Sequence, residues 1–372
     1  MSDRTRPVGP RAGGRRGEAG YSLIELLVSS AIMLTITGAI FALVNPAQGT
    51  SQAQPEASDM QQRLRVATDT LYRDLVMVGA GPYQGATTGS LLNFFAPILP
   101  YRVGQQSSDP ASGVYFRPDA ITLVYVPNTS SQTTIADPMP NESAEIKVNA
   151  QPNCPAGDEL CGFRQGMSVL IFDPTGAWES FTITNVQTNA LHMQHRGQQF
   201  QKAYDAGANI VEAQFHTYYW DAVTDRLMHY DGITTDLPVV DNVVGLQFRY
   251  FGDPDPPQAP KPTIGTANCL FDVSGNSLLP TLPATSGSLV ELTQAMLTDG
   301  PWCGANPSLF DADLLRVRKV RVSIRTQVAS PTLRGANTTL FTRPGTARGG
   351  ERFVPDFSSV FEVAPRNLNL AR

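Results

Sequence analysis

The chain has 372 residues, of which 41% are hydrophobic and 16% charged, a balance that excludes a disordered polypeptide. Its net charge of −5 argues against a general nucleic-acid binder, which needs a basic surface to displace counterions. Gly (31) and Pro (29) make up about a sixth of the residues, which points to many turns and a β-rich body.

The charge is unevenly placed. Residues 1–20 carry Arg4, Arg6, Arg11, Arg15 and Arg16 against Asp3 and Glu18, a net +3, which leaves −8 for the remaining 352 residues. A basic flank directly before an apolar run keeps that end in the cytoplasm while the rest crosses the membrane. The run is YSLIELLVSSAIMLTITGAIFALV, residues 21–44. At about 1.5 Å per residue, a helix of this length spans a hydrocarbon core. A secretory signal would need a small-residue cleavage site after the run, and Asn45-Pro46-Ala47 is the nearest imitation. A plain anchor needs no such site but leaves Glu25 unexplained beyond reaching for headgroups. A carboxylate inside an apolar run costs roughly 2.5–3.5 kcal/mol on insertion scales, so it is retained where it has a partner.

These residues resemble the type IV prepilin family: a basic leader ending in Gly, then an aromatic residue, a short apolar stretch and a Glu at the fifth mature position. Gly20, Tyr21 and Glu25 occupy those places, followed by Leu26-Leu27-Val28. Tyr21 stands where Phe is commoner, and the 20-residue leader is longer than many. The resemblance implies cleavage by a prepilin peptidase between Gly20 and Tyr21, with methylation of the new amino group of Tyr21. It implies membrane lipid, an inner-membrane assembly platform and other pilins or pseudopilins as partners. The expected location is a single-pass inner-membrane protein with an extracytoplasmic body, entering a pilus on assembly. The Tyr21 ammonium and the Glu25 carboxylate of an incoming subunit would each be costly in an apolar setting, and pairing offsets much of that cost. Such a pair also fixes the axial register of one helix against the next.

Pro46, Gly49 and Pro55 then predict a break or kink. Helical spacing resumes, with Met60, Leu64, Ala67, Leu71, Leu75 and Val78 on one face and Gln62, Arg65, Asp69 and Arg73 off it. Gly79-Ala80-Gly81-Pro82 ends it. The expected architecture is α+β and pilin-like. A leader (1–20) precedes an assembly helix (21–81) with its span at 21–44. A β-rich antiparallel domain (82–372) follows, with an insertion at about 253–310.

In that domain, strands are expected over Ala120–Val126, Met167–Phe172, Glu179–Val186, Ala190–His195, Ile210–Trp220, Arg226–Tyr230 and Val239–Phe251. Asp173-Pro174-Thr175-Gly176 is the turn after the second of these. Asp253–Pro262 reads as an extended Pro-rich loop, and residues 263–310 carry few periodic signals. Over Leu314–Val328, Val320, Val322 and Ile324 share one face and Lys319, Arg321 and Arg325 the other. Leu315 and Val317 have the opposite parity, which predicts a bulge near Arg318 or Lys319. From Arg316 to Arg352 there are nine basic residues and one acidic, Glu351. This run reads as a solvated strand face, or as a contact to DNA or another anionic surface. RLRVATDTLYRDLVMVGAG (63–81), NVVGLQFRY (242–250), VRKVRVSIRTQV (317–328) and VAPRNLNLAR (363–372) resemble the PilW-class minor pilins.

Cys154, Cys161, Cys269 and Cys303 all follow the span, on its oxidising side. Four cysteines allow three pairings, of which Cys154–Cys161 with Cys269–Cys303 is the simplest. Their spacings do not match zinc knuckles, and free buried thiols are the other reading. No catalytic constellation, cofactor site or metal site emerges. His192 and His195 are three apart in a strand and point to opposite faces. There is no phosphate loop, G-x-S-x-G or H-E-x-x-H. Asp221 and Asp225 read as turn residues rather than calcium ligands. The expected function is a minor pilin in the assembly, initiation or capping of a type IV pilus, and not an enzyme. The alternatives are a minor pseudopilin of a type II secretion system and a filament-displayed adhesin or DNA-uptake component.

Overall fold

A computed structural model of the chain describes residues 20–82, 89–103, 115–127, 131–151, 154–232, 235–285, 287–305, 308–347 and 353–370. The leader up to Ala19 and the end of the basic run, Arg348, Glu351 and Arg352, lie outside the described residues.

A single helix, α1 (Leu23–Met77, 55 residues), opens the fold. The break expected at Pro46, Gly49 and Pro55 does not occur: the helix runs through all three. Each proline forfeits one backbone bond at roughly 3 kcal/mol, and long regular stretches on both sides absorb that loss. The helix stops as expected at Val78, before Gly79 (φ +77°). The chain's own C-terminal region completes this end. Asn367 Nδ2 donates to the carbonyls of Met77 (3.2 Å) and Val78 (3.3 Å), two acceptors that the helix leaves open.

The strands are short. In chain order they are β1 (Ile98–Leu99), β2 (Ala120–Tyr125), β3 (Gln132–Thr134), β4 (Ile146–Lys147), β5 (Ser168–Phe172) and β6 (Trp178–Thr182). Next come β7 (Asn185–Gln187), β8 (His192–Gln194), β9 (Asn209–Glu212), β10 (Gln214–Asp221), β11 (Arg226–Tyr230) and β12 (Asp236–Asp241). The last are β13 (Val243–Gly252), β14 (Val290–Leu292), β15 (Trp302–Cys303), β16 (Phe310–Asp311), β17 (Val317–Thr326) and β18 (Phe357–Val363). All recorded pairings are antiparallel. The protein is therefore α+β: one long helix that is apolar at its N-terminal end, and an antiparallel β-rich body.

Two sheets carry the helix, ordered β1-β2-β10-β11-β12 and β14-β13-β17-β18. The C-terminal half of α1 packs on β12, β17 and β18. The predicted stripe does this: Ala67, Leu71, Leu75 and Val78 are fully buried with Leu123, Leu227, Phe248, Val320 and Val322. Each fully buried Leu or Val contributes roughly 1.5–3 kcal/mol relative to exposure. Met60 enters a separate small cluster with Val328, Leu333 and Val354.

Three expected strands are each two. Ile210–Trp220 splits at Ala213 into β9 and β10, which join different sheets. Val239–Phe251 splits at Asn242, whose left-handed backbone (φ +58°) turns the chain from one sheet to the other. Glu179–Val186 divides into β6 and β7. The chain between β2 and β10 builds two further sheets, β3-β9-β5-β6 and β4-β8-β7, around a second core containing Ile135, Ile146, Phe181, Met193 and Ile210. β5 joins the two cores. Val169 and Ile171 enter the second and Leu170 and Phe172 the first, because alternate side chains leave opposite faces. The sequence shows strands in this region but not that they enclose a core of their own, because a strand's pattern does not say which sheet it joins.

The bulge in β17 lies where the parity placed it. Phe251 pairs with Lys319 and Gly252 with Val317, so Arg318 is the extra residue. Just before it, a short 3₁₀ turn (Ala312–Arg316) carries Arg316 into the interior with no exposed surface. Arg316 pairs with Asp313 at 2.5 Å and donates to the carbonyls of Pro254 (2.7 Å) and Pro280 (2.6 Å). One guanidinium thus ties the Pro-rich loop to the stretch that follows. Burial pushes the Asp313 carboxyl up, and Arg316 opposes that shift. Arg316→Leu should strand Asp313 and two carbonyls, at a cost of about 3–5 kcal/mol. Thermal melting of the purified chain in detergent reads this, and a melting temperature equal to wild type would show that the network is dispensable.

Candidate functional site

Ser22 caps α1. Its hydroxyl accepts from the Ile24 amide (3.2 Å), while the Glu25 carboxylate accepts from the Ser22 amide (3.3 Å). This reciprocal pair is a capping box, and the S-x-x-E spacing of residues 22–25 encodes it. The sequence reading treated Glu25 only as a charge. The structure adds a local role, since the carboxylate satisfies a backbone donor at the positive end of the helix. Gly20, Tyr21 and Glu25 therefore sit together at the helix start, with Tyr21 87% exposed. A Cβ at Gly20 meets nothing within 4 Å, so the fold itself does not demand glycine there.

Beyond the cap, Leu23–Val44 is apolar on every face and has a mean hydropathy of 2.2. None of it is buried against the rest of the chain. At about 1.5 Å per residue its 22 residues are long enough to cross a hydrocarbon core about 30 Å thick. The Thr35 hydroxyl donates back to the Ala31 carbonyl at 2.7 Å, which satisfies a polar group inside the apolar stretch.

The cysteines form two disulfides, Cys154–Cys161 and Cys269–Cys303, with Cα atoms 5.6 and 5.1 Å apart. No cysteine is free. His192 and His195 have separate partners: Glu145 for His192, and the Ala144 and Gln198 carbonyls for His195. Asp221 accepts from the Val223 amide and from the amide and hydroxyl of Thr224, and Asp225 pairs with Arg343. Both aspartates hold the β10–β11 turn.

Most described residues of the basic run are ion-paired within the chain. Lys319 and Arg321 pair with Glu362 across β17–β18 and lie over the Phe251 ring. Those two cations hold the Glu362 carboxyl below its usual range. Arg325 pairs with Asp356 (2.9 Å), Arg318 with Asp253 (2.7 Å) and Arg343 with Asp225 (2.5 Å). With Arg316 paired to Asp313 and Arg334 donating to Gln327, every described basic residue from Arg316 to Arg343 has a partner.

A cluster missed in the sequence lies where the last turns of α1 meet the first sheet. Asp74 belongs to the buried stripe yet is acidic, and it is 2% exposed. Its Oδ2 accepts from the Tyr218 hydroxyl at 2.5 Å and lies 3.3 Å from His216 Nδ1. His216 Nδ1 is 2.8 Å from His229 Nε2. On its other side, His216 Nε2 faces the Tyr125 hydroxyl (3.0 Å) and Gln214 Oε1 (3.3 Å). His216 and Tyr218 share one face of β10, and the register places Tyr218 opposite His229. Burial lowers both imidazoles, and Asp74 opposes this without overturning it. Burial therefore favours the neutral form of both rings. Burial and the nearby Asp74 push the Tyr125 hydroxyl up to about 12. The signal in the sequence was a lone Asp at a stripe position, between Leu71 and Val78.

No protein-family model matches the chain, and a search of curated proteins found no match either.

Proposed function

We propose that the chain is a pilin-type filament subunit, made as a prepilin with a cleavable leader, that acts as a minor pilin in starting, assembling or capping a type IV pilus. The observation that carries this reading is the bare half of α1. It is apolar all round, begins with one carboxylate, and continues without a break into a half packed on its own sheets. Such a helix needs lipid before assembly and neighbouring helices afterwards. A secretory signal cut after Ala47 would sever α1 inside a continuous helix, so its continuity favours the pilin reading over the signal reading. The ion pairing of the described part of the basic run favours this reading over a DNA-uptake role.

In this reading the prepilin peptidase cuts between Gly20 and Tyr21, and the inner-membrane platform delivers the mature helix to the filament. Glu25 has two successive tasks. In the precursor it caps its own helix, and in the filament it faces the Tyr21 ammonium of a neighbour. The body stays outside the membrane, where both disulfides persist.

Mass spectrometry of the mature protein should find an N-terminus at Tyr21, methylated on nitrogen. Gly20→Ala should fold normally, since a methyl group has room there, and accumulate as an uncut precursor. A mature chain beginning after Ala47 overturns the reading.

Glu25→Gln separates the two tasks of Glu25. Glutamine keeps a carbonyl acceptor for the Ser22 amide but loses the charge. Insertion and cleavage should persist, while filaments per cell fall, because stranding one partner of a buried pair costs about 3–5 kcal/mol. Glu25→Leu removes both roles and should fare no better. Wild-type filament numbers with Glu25→Gln, at equal protein level, would reduce Glu25 to a helix cap.

A further inference from the structure

We infer that Asp74, His216 and His229 form a binding site for one first-row divalent metal ion of the zinc type, which fastens the end of α1 to the β10–β11 hairpin. The inference does not rest on the pilin reading. It rests on three Lewis-base atoms, Asp74 Oδ2, His216 Nδ1 and His229 Nε2, all within 4.8 Å of one another. Two of the separations are 3.3 and 2.8 Å. Ligands about 2.0–2.1 Å from a tetrahedral ion stand about 3.3 Å apart, so small side-chain shifts would admit one. Two imidazoles and one carboxylate suit zinc, cobalt or copper, whereas calcium and magnesium demand an oxygen shell that this cluster lacks.

The surroundings fit the same assignment. In the tautomer with the proton on Nε2, His216 donates to Gln214 Oε1 and its Nδ1 lone pair faces the other two ligand atoms. The ring is thereby oriented for coordination. Tyr218 supplies the outer hydrogen bond to Asp74, whose Oδ2 keeps a second lone pair for the ion. His216 also lines an open cleft with Gln165, Met167, Glu212 and Asp231, so solvent reaches the cluster's edge at this ring. The ligands come from α1, β10 and β11, the first and second 142 positions apart in the sequence. Binding therefore clamps helix to sheet.

The test uses the full chain in detergent, stripped with a chelator and titrated with Zn²⁺ alone by calorimetry. One equivalent should bind, and excess zinc should raise the melting temperature by linkage. His216→Gln and His229→Gln should each weaken binding at least about tenfold and abolish the thermal shift, while His192→Gln should do neither. Cobalt(II) added to the stripped wild-type protein should give the intense visible bands of a tetrahedral nitrogen and oxygen site. That readout holds even if the histidine variants fold poorly. Stripped wild-type protein that takes up no zinc and gives no such cobalt spectrum overturns the assignment. Zinc affinity unchanged in His216→Gln and His229→Gln does the same.

Discussion

Leu23–Val44 offers apolar side chains on every face of a helix that its own chain leaves bare. Soluble monomers rarely expose a contiguous apolar surface of that size, so this segment constrains where the protein can reside. A bare apolar helix is held to the body only through the part of α1 that packs on it. The continuity of α1 through Pro46 and Pro55 provides the joint. The packed stripe from Ala67 to Val78 fixes the far end, and Asn367 closes the carbonyls that the helix leaves open. Asn367 thus meets α1 at the point where the helix enters the body.

The body is held by means suited to short strands. Its main core is continuous from α1 through both carrying sheets, while the region between β2 and β10 supports its own core and shares β5 with the first. Where apolar side chains are sparse, other links take over. Cys269–Cys303 and buried Arg316 secure the stretch after β13, which has little regular structure. Cys154–Cys161 closes a small loop in the region of the second core. The ion pairs on β17 and β18 contribute less, because exposed pairs are worth about 0–1 kcal/mol each. Their main effect is to cancel a charge pattern that, read linearly, suggested an anionic partner.

Asp74 shows how a polar residue can occupy a core stripe. Leaving it buried without partners would be costly, and Tyr218 and His216 meet it from β10. Interchanging Asp74 with a stripe leucine would keep the periodicity and lose the fit. The composition of a helix face and the identity of each position on it are therefore separate matters.

The sequence by itself determined what depends on neighbours within a few residues. The apolar span, the stripe from Met60 to Val78, the capping box spacing and the bulge at Arg318 are all local patterns, and local backbone geometry converts them directly into structure. Of the three disulfide pairings the sequence leaves open, the fold selects the simplest, because it brings those cysteines together. Only the tertiary structure decided which strands share a sheet, why Ala213 and Asn242 divide apparent single strands, and which charges meet. It alone brought Asp74 to Tyr218, 144 residues away, and Arg316 to Pro254 and Pro280. Those contacts depend on the path of the chain between distant segments, which no periodicity within a segment encodes.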